Sequence, residues 1–206
     1  MKTFLMKTAF WIVFIFSTFR LIPHVLLMMF GPNRLKINSD VSRWAAIYIA
    51  ESPVEHFSRY FNFVFLMTRY PEFRNLFYYR TGTIGSIFRP LCRPISTLYI
   101  HTGNIGPGLF LQHGFATIIS AEEIGSHCWI NQQVTIGWID KTGGPVIGDN
   151  VTINAGAKVL GNISIGSNSV VGANAVVVKD VPPNCTVVGI PAYIVRKDGI
   201  RFRESL

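Results

Sequence analysis

Apolar residues in the second half of the chain recur every six positions. Ile147, Ile153, Val159, Ile165, Val171 and Val177 keep that step without exception, and Ile118, Ile124, Ile130 and Ile136 form an earlier series. An α-helix repeats near 3.6 residues and a strand at 2, so neither produces this spacing. Three residues after each member of the later series stand Asn150, Gly156, Asn162, Asn168, Asn174 and Asp180. These residue types tolerate left-handed backbone at a turn. Each hexad therefore reads as a short strand plus a turn. Three hexads close one coil, which stacks residues 18 apart at the strand spacing of ~4.8 Å. The prediction is a hexapeptide-repeat parallel β-helix, with Ile147 on Ile165 and Asn150 on Asn168.

Two breaks interrupt the rhythm. From Ile136 to Ile147 the step is 11, so "GWIDKTGGP" is expected to project as a loop, and loops on rigid scaffolds are where sites are built. A one-residue slip lies between Leu111 and Ile118, next to the single polar ring of "LFLQHGFATIIS", His113.

The first hundred residues follow another grammar. Thr8 to Phe19 are 12 residues without a charge, fewer than the ~20 a membrane-crossing helix needs. Lys2, Lys7 and the apolar stretch have the form of a secretory leader, but no small-residue cleavage site follows. Residues 1–31 read as an apolar helix, either membrane-associated or buried in an oligomer. Residues 32–98 read as short amphipathic helices, with Trp44, Ile47 and Tyr48, then Phe61, Val64 and Phe65, at helical spacing and Asn38 or Ser39 as a cap. The β-helix is placed at 99–197 and a C-terminal tail at 198–206.

Composition narrows the partners. About half the chain is apolar and 15% is charged, which excludes a disordered chain. The net charge of +8 comes without any Lys or Arg run longer than two, so an anionic small ligand or a membrane surface fits better than nucleic acid. Cys92, Cys128 and Cys185 are far apart and outside CxxC spacing, which suits a reduced compartment.

The segments "GLFLQHGFATIISAEEIGSHCWINQQVTIG" and "PVIGDNVTINAGAKVLGNISIGSNSVVGANAVVVKDVPPNCTVVGIPA" resemble the hexapeptide acyltransferases of the serine O-acetyltransferase type. The His-Gly-aromatic step looks closest to the branch associated with polysaccharide biosynthesis. The resemblance runs from about Tyr99 to Lys197. It implies a mainly β chain: a left-handed parallel β-helix preceded by an α-helical N-terminal region, assembled as a homotrimer, with acetyl-CoA as donor and no metal. It gives His113 the role of general base, because a hydroxyl attacks a thioester poorly until its proton is withdrawn and imidazole does this near neutrality. Glu122 or Glu123 would orient the ring, or both are solvated turn residues. Asn131 and Gln132, one coil on, either bind the acceptor or form an outward polar ladder. On the donor side, the resemblance places Ala173 against coenzyme A, with Ala155 and Ala157 as further small residues, and sends Lys179 to a nucleotide phosphate. Arg196 and Lys197 either add phosphate contacts or keep the end soluble.

Two departures bear on the acceptor. Serine-specific members carry an aspartate where "LYIHTG" has Tyr99, and a histidine in the loop that here has none. A sugar or polysaccharide-precursor hydroxyl is therefore expected ahead of L-serine. Trp138 and Phe115 could meet a sugar face, and Asp140 is the loop's only carboxylate. Two other classes stand beside this. One is a zinc enzyme of the γ-carbonic anhydrase kind using His101, His113 and His127, which are too widely spaced for it. The other is a non-catalytic scaffold. The expected location is cytoplasmic, at or near the inner face of the membrane.

Overall fold

The computed structural model describes residues 14–48 and 59–206. It divides into two compact units, residues 1–94 and 95–206.

In the first unit, residues 14–20 are helical and are followed by α1 (Ile22–Phe30), α2 (Arg34–Tyr48), α3 (Arg59–Arg69) and α4 (Pro71–Ser86). Residues 1–13 of the expected apolar helix lie outside the described residues. Asn38 and Ser39 do not cap a helix; both lie inside α2. The chain turns earlier, at Asn33, whose φ is 59° and whose amide donates to the Arg80 carbonyl at 2.9 Å. Trp44, Phe63, Phe73, Phe77 and Tyr78 fill the core, with Trp44 edge-on to Phe73 at 5.2 Å. The inward residues of α3 are Phe63, Val64, Leu66 and Met67, so Phe61 and Phe65 sit at the margin of the buried stripe.

An ion pair and a histidine are sealed into this apolar core. Asp40 and Arg80 pair at 2.9 Å with side chains only 2% and 1% exposed. His24 is fully buried, and its Nε2 meets the Tyr78 hydroxyl at 2.9 Å. That hydroxyl donates to the Cys92 carbonyl at 2.7 Å, so its proton is committed and Nε2–H must be the donor. Nδ1 makes no well-aligned hydrogen bond, although the Phe88 backbone acts on the ring and partly opposes the effect of burial. Burial, with Arg20 adding to it, lowers the imidazole to about 4.

The second unit is a parallel β-helix. Its first face stacks β1 (Leu98–Ile100), β4 (Thr117–Ile119), β7 (Thr135–Gly137), β10 (Lys158–Leu160) and β13 (Val176–Val177). The second holds β2 (Asn104–Ile105), β5 (Glu123–Ile124), β8 (Val146–Ile147) and β11 (Ser164–Ile165). The third holds β3 (Phe110–Leu111), β6 (Trp129–Ile130), β9 (Thr152–Ile153), β12 (Val170–Val171) and β14 (Cys185–Val188). All pair in parallel, and Ile147 stands on Ile165 as the spacing requires. β15 (Tyr193–Lys197) and β16 (Ile200–Ser205) then add to the third face as antiparallel strands. Residues 200–205, expected within a tail, are therefore strand, because β15 offers them an edge to pair with.

The corners follow the predicted residues in part. Gly108, His127, Asn150, Asn168 and Asn184 all have positive φ and form one column between the second and third faces. Asn150 donates to Asn168 at 3.2 Å, and Asn168 to Asn184 at 3.1 Å. Ala116, Gln133, Gly156 and Asn174 form a second left-handed column, where the chain enters the first face. Asn162 and Asp180 do not join a left-handed column. At their corner Gly161 takes the positive φ of 93°, and Asp180 accepts the Ser164 amide at 2.7 Å.

The slip beside His113 is also larger than one residue. Ile118 points outward and is 43% exposed, while Ile119 is buried and stands over Ile136. Strict six-residue counting picks Ile118, but the step from Leu111 is eight, and five residues then lead to Ile124. The extra residues form a bulge at 112–116.

Candidate active site

The register brings four of the expected site residues to one corner. Leu111, Ile130, Ile153 and Val171 pair in succession on the third face. Two residues further along the lower three coils stand Gln132, Ala155 and Ala173 in one column. The Gln133 amide donates to the Phe115 carbonyl at 3.0 Å, which sets Phe115 over Gln132, with His113 in the bulge of that top coil, three strand spacings, or ~14 Å, above the level of Ala173. His113 belongs to the bulge above this column. It is exposed, within the bulge, with φ at 60°. A histidine held in the left-handed region is uncommon, and such backbone concentrates at functional positions. Below it the Gln132 Oε1 is buried without a hydrogen-bond partner, an acceptor facing the same corner. Ala155 and Ala173 follow, half-buried and exposed, and leave the corner open along its length.

The neighbouring column explains what holds the bulge. The Trp129 indole N–H donates to Asn131 Oδ1 at 2.7 Å and lies 3.2 Å from Gln112 Oε1. Its ring packs edge-on against Phe110 at 4.5 Å. Asn131 is thus tied to its own coil. Gln112 and Trp129 were not anticipated as site residues. The signal was available, since the 19-residue register sets Gln112 over Asn131 immediately before His113.

The other expected residues gather at a different corner, across the first face. Glu122 accepts the Gly144 amide at 3.2 Å and so anchors the projecting loop, while Glu123 accepts from Asn104 at 2.8 Å. Within one chain, neither orients His113. In the loop, the Trp138 indole covers Gly144 so closely that a Cβ there would lie 2.6 Å from Nε1. Asp140 accepts the Thr142 amide at 2.8 Å, and its hydrogen bonds to Thr142 hold the carboxyl below its ordinary value. It turns the loop on itself. Tyr99 lies between the two corners on the outer side of the first face, beside Ile118, 50% exposed and stacked on His101. His101, His113 and His127 occupy three different corners, and among the described residues no group of three side chains is placed to hold a metal.

Lys179 follows β13 and donates to the Leu206 carbonyl at 2.6 Å. It lines a cavity of about 340 Å³ with Tyr193 and Arg203, whose guanidinium lies 4.5 Å over the tyrosine ring. Arg196 and Lys197 are exposed on β15. All three cysteines are free and buried, and burial raises each thiol, Cys128 to about 11.

The fold and the corner define a hexapeptide-repeat parallel β-helix, and comparison with known proteins narrows this further. Residues 144–179 match the family model "Bacterial transferase hexapeptide (six repeats)". The chain is similar to the serine acetyltransferase of Synechococcus elongatus, 42% identical over 131 residues, 61% of this chain and 54% of that protein. It is 49% identical over 120 residues to the serine acetyltransferase of Staphylococcus aureus, 56% of each chain. It thus spans about half the length of these curated relatives. Among solved structures, serine acetyltransferase from Brucella abortus superposes with a TM-score of 0.59 at 26% identity, over 85% of this chain and 74% of that one. The same enzyme in complex with coenzyme A gives a TM-score of 0.57 at 27% identity, over 85% and 72%.

Proposed function

We propose that the chain is an acetyl-CoA-dependent O-acetyltransferase acting on the hydroxyl of L-serine, with His113 as general base. The observation that carries this reading is the single corner that bears the His113 bulge on its top coil and the column Gln132, Ala155 and Ala173 on the coils below. It sets a base at one end and small residues along a strip long enough for an extended thioester arm. The relatives described above are named serine acetyltransferase and favour serine over the sugar acceptor expected from the departures alone, and nothing in them supports a link to polysaccharide synthesis.

The step follows from the chemistry of the groups. The imidazole of His113 removes the hydroxyl proton as the oxygen attacks the thioester carbonyl carbon. The tetrahedral intermediate collapses with loss of the C–S bond, and the imidazolium returns its proton to the departing sulfur. The products are an O-acetyl ester and free coenzyme A. The unpartnered Gln132 Oε1 would accept from a donor on the acceptor, such as the serine ammonium. Lys179 supplies positive charge for a nucleotide phosphate. Trimer formation would bring the His113 corner of one copy to the loop corner of the next. This arrangement lets Glu122, Trp138 and Asp140, at the far corner of one chain, serve the base of its neighbour. A second reading, a sugar hydroxyl as acceptor, is favoured by Tyr99 in the position of an aspartate, with Phe115 and Trp138 also exposed.

Thiol release from acetyl-CoA is the test, with serine, nucleotide sugars and lipid-linked sugars as acceptors. Serine-stimulated release that falls by 100-fold or more in His113→Ala is expected. Release with sugars alone would replace serine by the second reading. Full activity in His113→Ala would remove the base assignment, and no release with any acceptor would leave the scaffold class standing.

A further inference from the structure

The net charge of +8 belongs entirely to residues 1–94, which hold 12 Lys and Arg against 4 Asp and Glu, while residues 95–206 hold 7 against 7. Charge of one sign on one unit acts as a field toward a partner, not as a feature of the fold.

The same unit carries apolar surface on two sides of one helical stretch. Across residues 14–20 and α1, Phe14, Leu21, Val25 and Met28 are buried. Ile15, Phe19, Ile22, Leu26 and Met29 follow one another at steps of 4, 3, 4 and 3, and with Phe30 they are 48–74% exposed. That step pattern places them along a single helical face, turned away from the core. A continuous apolar stripe in water marks an interaction surface.

The end of the stripe meets a cavity of about 500 Å³ formed by α1, the start of α2 and the start of α3. Met29, Phe30, Leu35 and Tyr60 give it apolar walls, and Arg34 and Arg59 stand exposed at its edge. An apolar stripe, an apolar recess and two guanidiniums together match one kind of partner: hydrocarbon bearing anionic headgroups. A second copy of the chain fits less well, because it would set one +8 unit against another.

We propose that this face, formed by residues 15–35 with Arg59 and Tyr60, docks on the surface of a bilayer containing anionic lipid. The stripe lies at the level of the acyl-chain boundary, and Arg34 and Arg59 meet lipid phosphates. A stripe confined to one side of a helix suits a helix lying in the interface plane. Among the described residues no helix is long and apolar enough to cross a membrane. The inference is independent of the catalytic reading, since none of these residues belongs to the β-helix.

Co-sedimentation of the full chain with vesicles tests it. Vesicles of phosphatidylcholine with phosphatidylglycerol are expected to bind the protein at least ~10-fold more tightly than phosphatidylcholine alone, with the difference shrinking at high salt. The double variant Arg34→Gln/Arg59→Gln should lose about 30-fold in affinity for the anionic vesicles, from the attraction of two surface arginines. Phe19→Asp/Phe30→Asp should abolish binding while its circular dichroism and melting temperature stay those of the parent, since both side chains already face water. Equal binding to both vesicle types, binding to neither, or parental binding by both double variants would overturn the proposal. So would a parent that ignores vesicles and forms larger assemblies that Phe19→Asp/Phe30→Asp dissociates, which would make the face a contact between copies.

Discussion

Lowering the pH should loosen the helical unit through one residue, His24. Its imidazole is fully buried, donates through Nε2 to Tyr78, and is lowered from 6.5 to about 4 by burial and Arg20. The unfolded chain therefore takes up a proton near pH 6.5 that the folded unit refuses until about pH 4. Between those values the unfolded state holds more protons, so stability falls as pH falls. The loss over the whole window is ~3 kcal/mol, and from about pH 7.5 to pH 5 it is ~2 kcal/mol. That is a large share of the stability of an ordinary domain. Urea unfolding followed by far-UV circular dichroism at the two pH values, for the parent and for His24→Phe, isolates the term. Phenylalanine keeps the ring volume and cannot titrate, and Tyr78 retains its bond to the Cys92 carbonyl. The parent should lose ~2 kcal/mol more than the variant on acidification. Identical losses in the two proteins would refute the reasoning and place the imidazole in contact with water.

Other perturbations read other parts of the molecule. Asp40→Asn removes the carboxylate charge that faces the buried Arg80 guanidinium and should cost ~3–5 kcal/mol, seen as a lower melting temperature, whereas replacing both partners by apolar residues of similar volume should cost far less. Asn168→Ala removes the middle of the asparagine column and places a Cβ-bearing residue without a stabilising side chain at φ 60°, for a loss of ~1–2 kcal/mol. Asn168→Gly should recover part of that loss in the same denaturation assay. Lys179→Ala should raise the KM for acetyl-CoA on the order of tenfold with kcat little changed, since its charge meets a part of the donor remote from the reacting carbonyl. An unchanged KM would detach Lys179 from the donor.

The β-helix was legible because its periodic signal is carried twice, by inward Ile and Val and by corner Asn and Gly. Where only one signal was present the reading drifted. Ile118 and Ile119 are both isoleucine, so hydropathy could not choose the inward one, and the bulge at 112–116 made the six-residue count select the wrong neighbour. Asn162 and Asp180 are turn-forming residues at a corner that uses Gly161 and a side-chain acceptor instead. In the helical unit the sequence marked amphipathic stretches but could not pair them. His24 meets Tyr78 across 54 residues and Asp40 meets Arg80 across 40, contacts that no local pattern encodes. The candidate site divides similarly. The coil register puts Gln132, Ala155 and Ala173 in one column, which needs only the sequence, whereas the bulge sets Phe115 over them and carries His113 beside it, which the six-residue count does not show. Glu122 and Asp140 sit near the base in a linear reading, yet a three-sided prism turns them to another corner.

The corner column also acts as a measuring scale. Each coil advances it by one strand spacing, so the separation between the coil that carries His113 and the coil that carries Ala173 comes in whole steps of ~4.8 Å. No side-chain substitution alters that separation, but removal of one 18-residue coil, such as 147–164, would shorten it by a single graduation and leave the apolar stack in register. In a scaffold of this kind, the reach between the two ends of a bound thioester is counted in repeats.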